Sequence, residues 1–223
     1  MDVEVSYVEQ LTVFPQYVWK FNTKLDCEEL GKRCIETYHK EMENCQFYSN
    51  VGGWQSPVDM YKEGKGFEDV RDVIVDRMCI VCQAYDMKGH WALNSLWINL
   101  NYPDAFNRSH DHLKVNEHAV NLLSGVLWIT IPKDSGQFQF INCDCQQELH
   151  EYFDNENTRN FSKHDITPSE GEGYIFNASK KHLVTRNESE LTRISMSFNF
   201  ELLDPSVTKA AGIKGDQVVL FNK

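Results

Sequence analysis

Arg193-Ile194-Ser195-Met196-Ser197-Phe198-Asn199 alternates polar and apolar residues without a break. Side chains on a β-strand alternate between two faces, so Arg193, Ser195, Ser197 and Asn199 share one face, and Ile194, Met196, Phe198 and Phe200 share the other. The apolar face can pack under a helical layer. The polar face carries a cation, and burying an arginine is costly unless it meets an anion. A sheet folded around a polar interior satisfies both faces, with the guanidinium and a neighbouring serine hydroxyl suited to a carboxylate ligand. The alternative is a surface strand with Arg193 in solvent.

Other segments repeat the period of two. Leu96, Ile98 and Leu100 alternate with Trp97, Asn99 and Asn101, and Val126, Trp128 and Thr130 alternate with Leu127, Ile129 and Ile131. Short strand-like runs at 137–141, 173–177, 182–186 and 192–201 are divided by turn signals at Pro132–Gly136 and Pro168–Gly171. Many short strands with such punctuation predict a β-sandwich or jelly-roll barrel. The polar run 144–165 reads as a long loop or insertion.

Before residue 90 the period is helical. Leu30, Cys34, Ile35, Tyr38 and Met42 follow Asp26 at helical spacing. Ser56-Pro57 resembles an N-cap with proline at the first helical position. Val70, Val73, Ile74, Met78, Val81, Cys82 and Tyr85 form a further helical face, for which Gly89 is the expected C-cap. The predicted organisation is one domain: a mostly helical layer over 1–89, a β core over 90–203 and a C-terminal extension over 204–223.

Asn107-Arg-Ser-His-Asp-His-Leu113 holds two of the eight histidines. On a regular strand His110 and His112 would point to one face and Asp111 to the other. Two imidazoles side by side can grip a metal ion, although the pair taken alone reads more readily as two surface histidines. His182, which follows the candidate strand 173–177 and opens another, is the candidate third ligand.

The net charge of −11 disfavours a nucleic acid partner, since phosphate binding is dominated by lysine and arginine. No apolar run approaches the ~20 residues of a membrane span, and the acidic start Met-Asp-Val-Glu-Val lacks the basic opening of a signal peptide. These features predict a soluble cytoplasmic protein; the expected partner is an unidentified small-molecule or peptide substrate, with room for a homodimer. Seven cysteines are expected to be reduced. The pairs Cys79/Cys82 and Cys143/Cys145 could together hold zinc, but the first pair sits in a helical stretch, and packed free thiols are the preferred reading.

Two candidate ligands two residues apart, a distal histidine, and an arginine about ten residues beyond it resemble the 2-oxoglutarate- and Fe(II)-dependent oxygenases. More narrowly, the chain is similar to an oxygenase family of bacteria and phages within the prolyl-hydroxylase-like superfamily. The similarity runs through Ser49-Asn-Val-Gly-Gly-Trp-Gln-Ser56, Trp97-Ile-Asn99, Asn107–His112, Ser124-Gly-Val-Leu-Trp-Ile-Thr130, Pro168–Phe176, His182-Leu-Val184 and Arg193–Asn199, with Phe14-Pro15 near the family's start. The resemblance implies a double-stranded β-helix (jelly-roll, cupin-like) barrel with an α-helical layer. It also implies a dioxygenase that couples oxidative decarboxylation of 2-oxoglutarate by O2 to oxidation of a substrate. It assigns His110, His112 and His182 to Fe(II), Arg193 and Ser195 to the far carboxylate of 2-oxoglutarate, and Tyr102 and Asn107 to further contacts with that co-substrate. The general pattern has a carboxylate where this chain has His112, which leaves Asp111 as the alternative ligand should the strand bulge. Two other readings stand beside the oxygenase: a cupin-like metal protein without 2-oxoglutarate chemistry, and a catalytically silent interaction module.

Overall fold

The computed structural model describes residues 16–87, 89–115, 119–142, 162–203 and 218–221. Phe14-Pro15, Cys143 and Cys145, most of the 144–165 run and nearly all of the C-terminal extension lie outside the described residues.

Two sheets face each other. The larger has the order β1 (Val18–Asn22), β9 (Glu172–Asn177), β6 (Ala119–Thr130), β11 (Arg193–Leu203), β4 (Gly89–Asn101) and β12 (Val218–Phe221), with β3 (Trp54–Gln55) added alongside β4. The smaller has the order β2 (Asn50–Val51), β5 (Phe106–His110), β10 (His182–Val184), β7 (Phe138–Ile141) and β8 (Lys163–Ile166). All the strand pairs between named strands are antiparallel. This is a double-stranded β-helix, or jelly-roll.

The alternation in β11 explains the layering. Ile194, Met196, Phe198 and Phe200 are buried in one core with Leu96, Ile98 and Leu100 of β4. Helices α1 (Cys27–Glu41) and α2 (Glu68–Ala84) cover that face, contributing Leu30 and Cys34 from the first and Val70, Ile74, Met78, Val81 and Cys82 from the second. Each such side chain contributes roughly 1.5–3 kcal/mol when fully buried. Helix α1 starts where Asp26 caps it, its Oδ1 accepting from the backbone N–H groups of Glu28 and Glu29 at 3.0 and 3.1 Å.

Three local expectations are corrected. Ser56-Pro57 starts no helix: Ser56 is fully buried and zips onto β4, its N–H donating to Ile98 O at 3.0 Å and its Oγ accepting from Ile98 N at 2.9 Å. Gly89 does not end α2. The helix stops at Ala84, and Asp86 takes the left-handed turn position (φ 50°), which a short polar side chain tolerates, so that Gly89 is free to open β4. The polar run 144–165 is not wholly loop, because Lys163–Ile166 pairs with β7 as an edge strand. Its exposed, charged Lys-His-Asp pattern hid it from a search for apolar alternation. No described helix is long and apolar enough to cross a membrane.

Candidate metal and co-substrate site

The histidines meet through strand register. His110, the last residue of β5, is paired directly across from His182, the first residue of β10. Their ring centroids are 4.4 Å apart. His112 lies beyond the end of β5, where its backbone N–H donates to Ala178 O at 2.8 Å and ties this segment to the turn before β10. Its ring then sits 4.8 Å from that of His110 and 5.1 Å from that of His182, nearly parallel to the latter. One ring nitrogen from each lies within 4.8 Å of the others. The grouping expected from period two is therefore present, although a turn and not a continuous strand brings His112 to it. Asp111 is exposed, and its carboxylate accepts from Leu113 N at 3.3 Å outside the cluster.

The ring protons follow from the acceptors. Nδ1 of His110 is 2.7 Å from Arg108 O, and Nδ1 of His182 is 2.9 Å from Lys180 O. A carbonyl only accepts, so each Nδ1 carries the proton and each Nε2 keeps a free lone pair. Such outer hydrogen bonds fix the tautomer of metal-binding histidines. Burial pushes His110 below its ordinary value, holds His182 down at about 3 with the help of His110, and holds His112 at about 2 with the help of both neighbours. At neutral pH the three rings are uncharged, the state that binds a metal. Phe138, Phe140 and Phe176 pack against the ring of His182 and shield that side of the cluster from water. Three neutral imidazoles would suit Fe(II), as they would other first-row metals, although the usual carboxylate ligand has no counterpart.

Two spaces adjoin the cluster. A chamber of about 30 Å³ inside the barrel is lined by Asn99, Asn107, Trp128, Val184, Ser195 and Ser197 as well as the three histidines. An open cleft of about 600 Å³ on the other side is bounded by His110, His112, Tyr48, Asn94, Asn121 and Glu201. His110, His112, Ser49 and Trp97 belong to both.

Arg193 is completely buried on the inner face of β11. One of its nitrogens, Nη1, donates to the carbonyls of Ser135 and Thr185. Nε and Nη2, which together form a two-pronged donor edge, have no partner among the described residues. No carboxylate among the described residues pairs with it, and burial alone draws its value down to about 10, which leaves it charged at neutral pH. Ser195 stands two residues along the same face and is 4% exposed. Asn107 also faces the chamber, tied to Asn101 and Ser49.

Tyr102 does not join them. Its ring lies 6.4 Å from that of Tyr38 on α1, among side chains packed on the helical side of the sheet. Burial and a hydrogen bond with Tyr38 raise its value. Position 102 follows the end of β4, where the alternation that sends Trp97, Asn99 and Asn101 inward has ended. Ser197 lines the chamber as the polar face of its strand predicts, whereas sequence reasoning passed over Asn99 and Trp128, though each stands on an inward position of an alternating run.

Residues 95–199 match the family model described as "Putative 2OG-Fe(II) oxygenase". This core matches the 2OG-Fe(II) oxygenase family over just under half of the chain. The chain is thus a non-haem oxygenase that uses Fe(II), 2-oxoglutarate and O2, and the matched span runs through both strands that carry the histidines and into β11. Solved structures agree on the fold. A prolyl-4-hydroxylase from Pseudomonas putida superposes with a TM-score of 0.56 at 16% identity, covering 85% of this chain and 94% of that one. The viral collagen prolyl hydroxylase of Paramecium Bursaria Chlorella virus-1, in its 2-oxoglutarate complex, gives 0.58 at 12% identity over 85% and 97%. The α-ketoglutarate-dependent carbocyclase SnoK from nogalamycin biosynthesis gives 0.59 at 10% identity over 93% and 90%. No curated protein sequence matches this oxygenase.

Proposed function

We propose that His110, His112 and His182 hold the Fe(II) of this oxygenase, and that Arg193 with Ser195 binds the distal carboxylate of 2-oxoglutarate. The unpaired Nε–Nη2 edge of Arg193 carries this reading. A buried guanidinium with an empty two-pronged edge is costly unless an anion fills it, and a carboxylate fits that edge in bidentate fashion. With iron bound, the site supplies the oxidation of a C–H bond coupled to conversion of 2-oxoglutarate and O2 into succinate and CO2.

The chain's own groups bind, orient and exclude water. Arg193 at the barrel's inner end and the histidines at the chamber's mouth fix the two ends of the keto acid. None of the three ligands is anionic, so the carboxylate at the keto end of 2-oxoglutarate would supply the negative charge that balances a bound Fe(II). The phenylalanine wall around His182 keeps water from the reacting atoms. Asn107 lines the path of the co-substrate and is held in place by Asn101 and Ser49.

The substrate, a peptide or a small molecule, enters through the outer cleft, whose floor carries Asn94, Asn121 and Glu201 joined by hydrogen bonds of 2.7 and 3.0 Å. The five described cysteines are free thiols, which supports a reducing, cytoplasmic setting.

Calorimetry of 2-oxoglutarate binding to the anaerobic Fe(II) protein tests the assignment. A charge-assisted hydrogen bond is worth about 1.5–3 kcal/mol, so Arg193→Met should weaken the co-substrate at least about tenfold while iron stays bound. Unchanged affinity would place the anchor elsewhere.

A further inference from the structure

The inner end of the chamber holds a second donor that the arginine anchor does not account for. Trp128 stands on β6 directly opposite Ser195 of β11, so their side chains project from the same face of the sheet. The indole is 1% exposed, lines the chamber, and lies with its ring centre 6.0 Å from the guanidinium carbon of Arg193. Its Nε1–H is buried without an acceptor. An unpaired indole N–H is not by itself a signal in this protein, because Trp19, Trp54 and Trp91 share it. Those three belong to the packing beneath the helices, whereas Trp128 belongs to the barrel's interior. It alone of the four borders the chamber and stands beside a guanidinium with an empty donor edge.

We infer that Trp128 is a further binding residue for the co-substrate, its Nε1–H donating to the distal carboxylate that Arg193 engages. The inference rests on the proposed role of Arg193. A carboxylate has about four acceptor sites. The Nε–Nη2 edge of Arg193 takes two of them, and the Ser195 hydroxyl and the Trp128 indole can take the others. The unpaired donors of Arg193 and Trp128 then gain acceptors from one group of the ligand. The ring also works through its face. It covers the guanidinium at a cation–π distance and so keeps water from the charge that must meet the carboxylate. The cradle selects for the distal carboxylate, because a keto acid that ends in a methyl group would leave the donors unpaired.

Two keto acids of the same chain length separate this role from ring packing: 2-oxoglutarate, and 2-oxopentanoate, which carries a methyl group in place of the distal carboxylate. Their affinities are measured by calorimetry on the full chain loaded anaerobically with Fe(II), in wild type, Trp128→Phe and Arg193→Met. Trp128→Phe keeps an aromatic ring and removes the donor, and should weaken 2-oxoglutarate by about fivefold or more, as expected for one lost hydrogen bond to a charged group. It should leave 2-oxopentanoate within about twofold of wild type. Equal losses for both ligands would assign Trp128 to packing and overturn the inference. So would an unchanged affinity for 2-oxoglutarate. If Arg193→Met also leaves 2-oxoglutarate unchanged, the anchor itself is misplaced, whereas a loss in Arg193→Met alone overturns only the role of Trp128. Should Trp128→Phe fail to fold, Trp128→Met, with a flexible apolar side chain and no N–H, answers the same question through the same ratio of affinities.

Discussion

The rings of His112 and His182 lie 13° from parallel with centroids 5.1 Å apart, although one follows β5 and the other opens β10. The hydrogen bond from His112 N to Ala178 O sets that relationship by fastening the two segments together. It makes His112, and not Asp111, the neighbour of the other two histidines. His112→Ala should therefore lower Fe(II) affinity well beyond about tenfold, since loss of an outer partner alone costs a metal site that much. Asp111→Asn should leave affinity within about twofold, because among the described residues its carboxylate hydrogen-bonds the local backbone at Leu113 and no histidine. Titration of the anaerobic proteins with Fe(II) checks both, and loss of metal from Asp111→Asn would show that the chain turns the other way.

The buried histidines also set the acid stability of the metal-free protein. Their folded values, about 2 for His112 and about 3 for His182, lie below the ~6.5 of an imidazole in the unfolded chain. Between those limits the unfolded state binds more protons, so stability falls as pH drops below about 6.5, by up to about 1.4 kcal/mol per pH unit for each histidine. Thermal melts of the metal-free protein from about pH 7 to about pH 4.5 should show a falling midpoint. His182→Leu should flatten the slope, since it removes one of the groups that must charge. An equal slope in both proteins would assign the acid sensitivity to other residues.

Gly125 of β6 is held to its size by two neighbours. A Cβ there would overlap the ring of Phe198 and come within 2.6 Å of Tyr174 O. Phe198 belongs to the core beneath the helices, and Tyr174 lies on the neighbouring strand. Gly125→Ala should destabilise the fold by roughly 1–3 kcal/mol, as overpacking does. Urea unfolding measures it, and a variant as stable as wild type would mean that Phe198 can move aside at little cost.

The strands that the sequence reveals are those with two different faces. β11 and β4 alternate because one side meets the helices and the other meets the chamber, and the inward positions of β11, from Arg193 to Asn199, could be read before any fold was known. β1 to β3 are short and lie in the stretch read as helical. They owe their pairing to partners far along the chain, as when Val18 meets Phe176 and Asn50 meets Asn107, which no local pattern announces. The histidine triad was legible as three residues, but the spacing argument used a regular strand where the chain turns after His110. Tyr102 was read by analogy of position, and the end of β4 carries it to the helical side. Trp128 stands in a run whose alternation is plain, but both faces of β6 are apolar there, so no pattern distinguishes a buried side chain that lines a chamber from one that fills a core.

The metal assignment is tested most directly by counting iron. Wild type and His182→Ala are reconstituted anaerobically with Fe(II), desalted, and assayed for metal and protein. His182 is 5% exposed and its free Nε2 belongs to the only three-residue metal-ligand cluster among the described residues. Wild type should retain about one iron per chain and the variant only a small fraction of that, as expected when one of three ligands is lost. Equal iron in the two proteins would contradict a metal centre built from His110, His112 and His182.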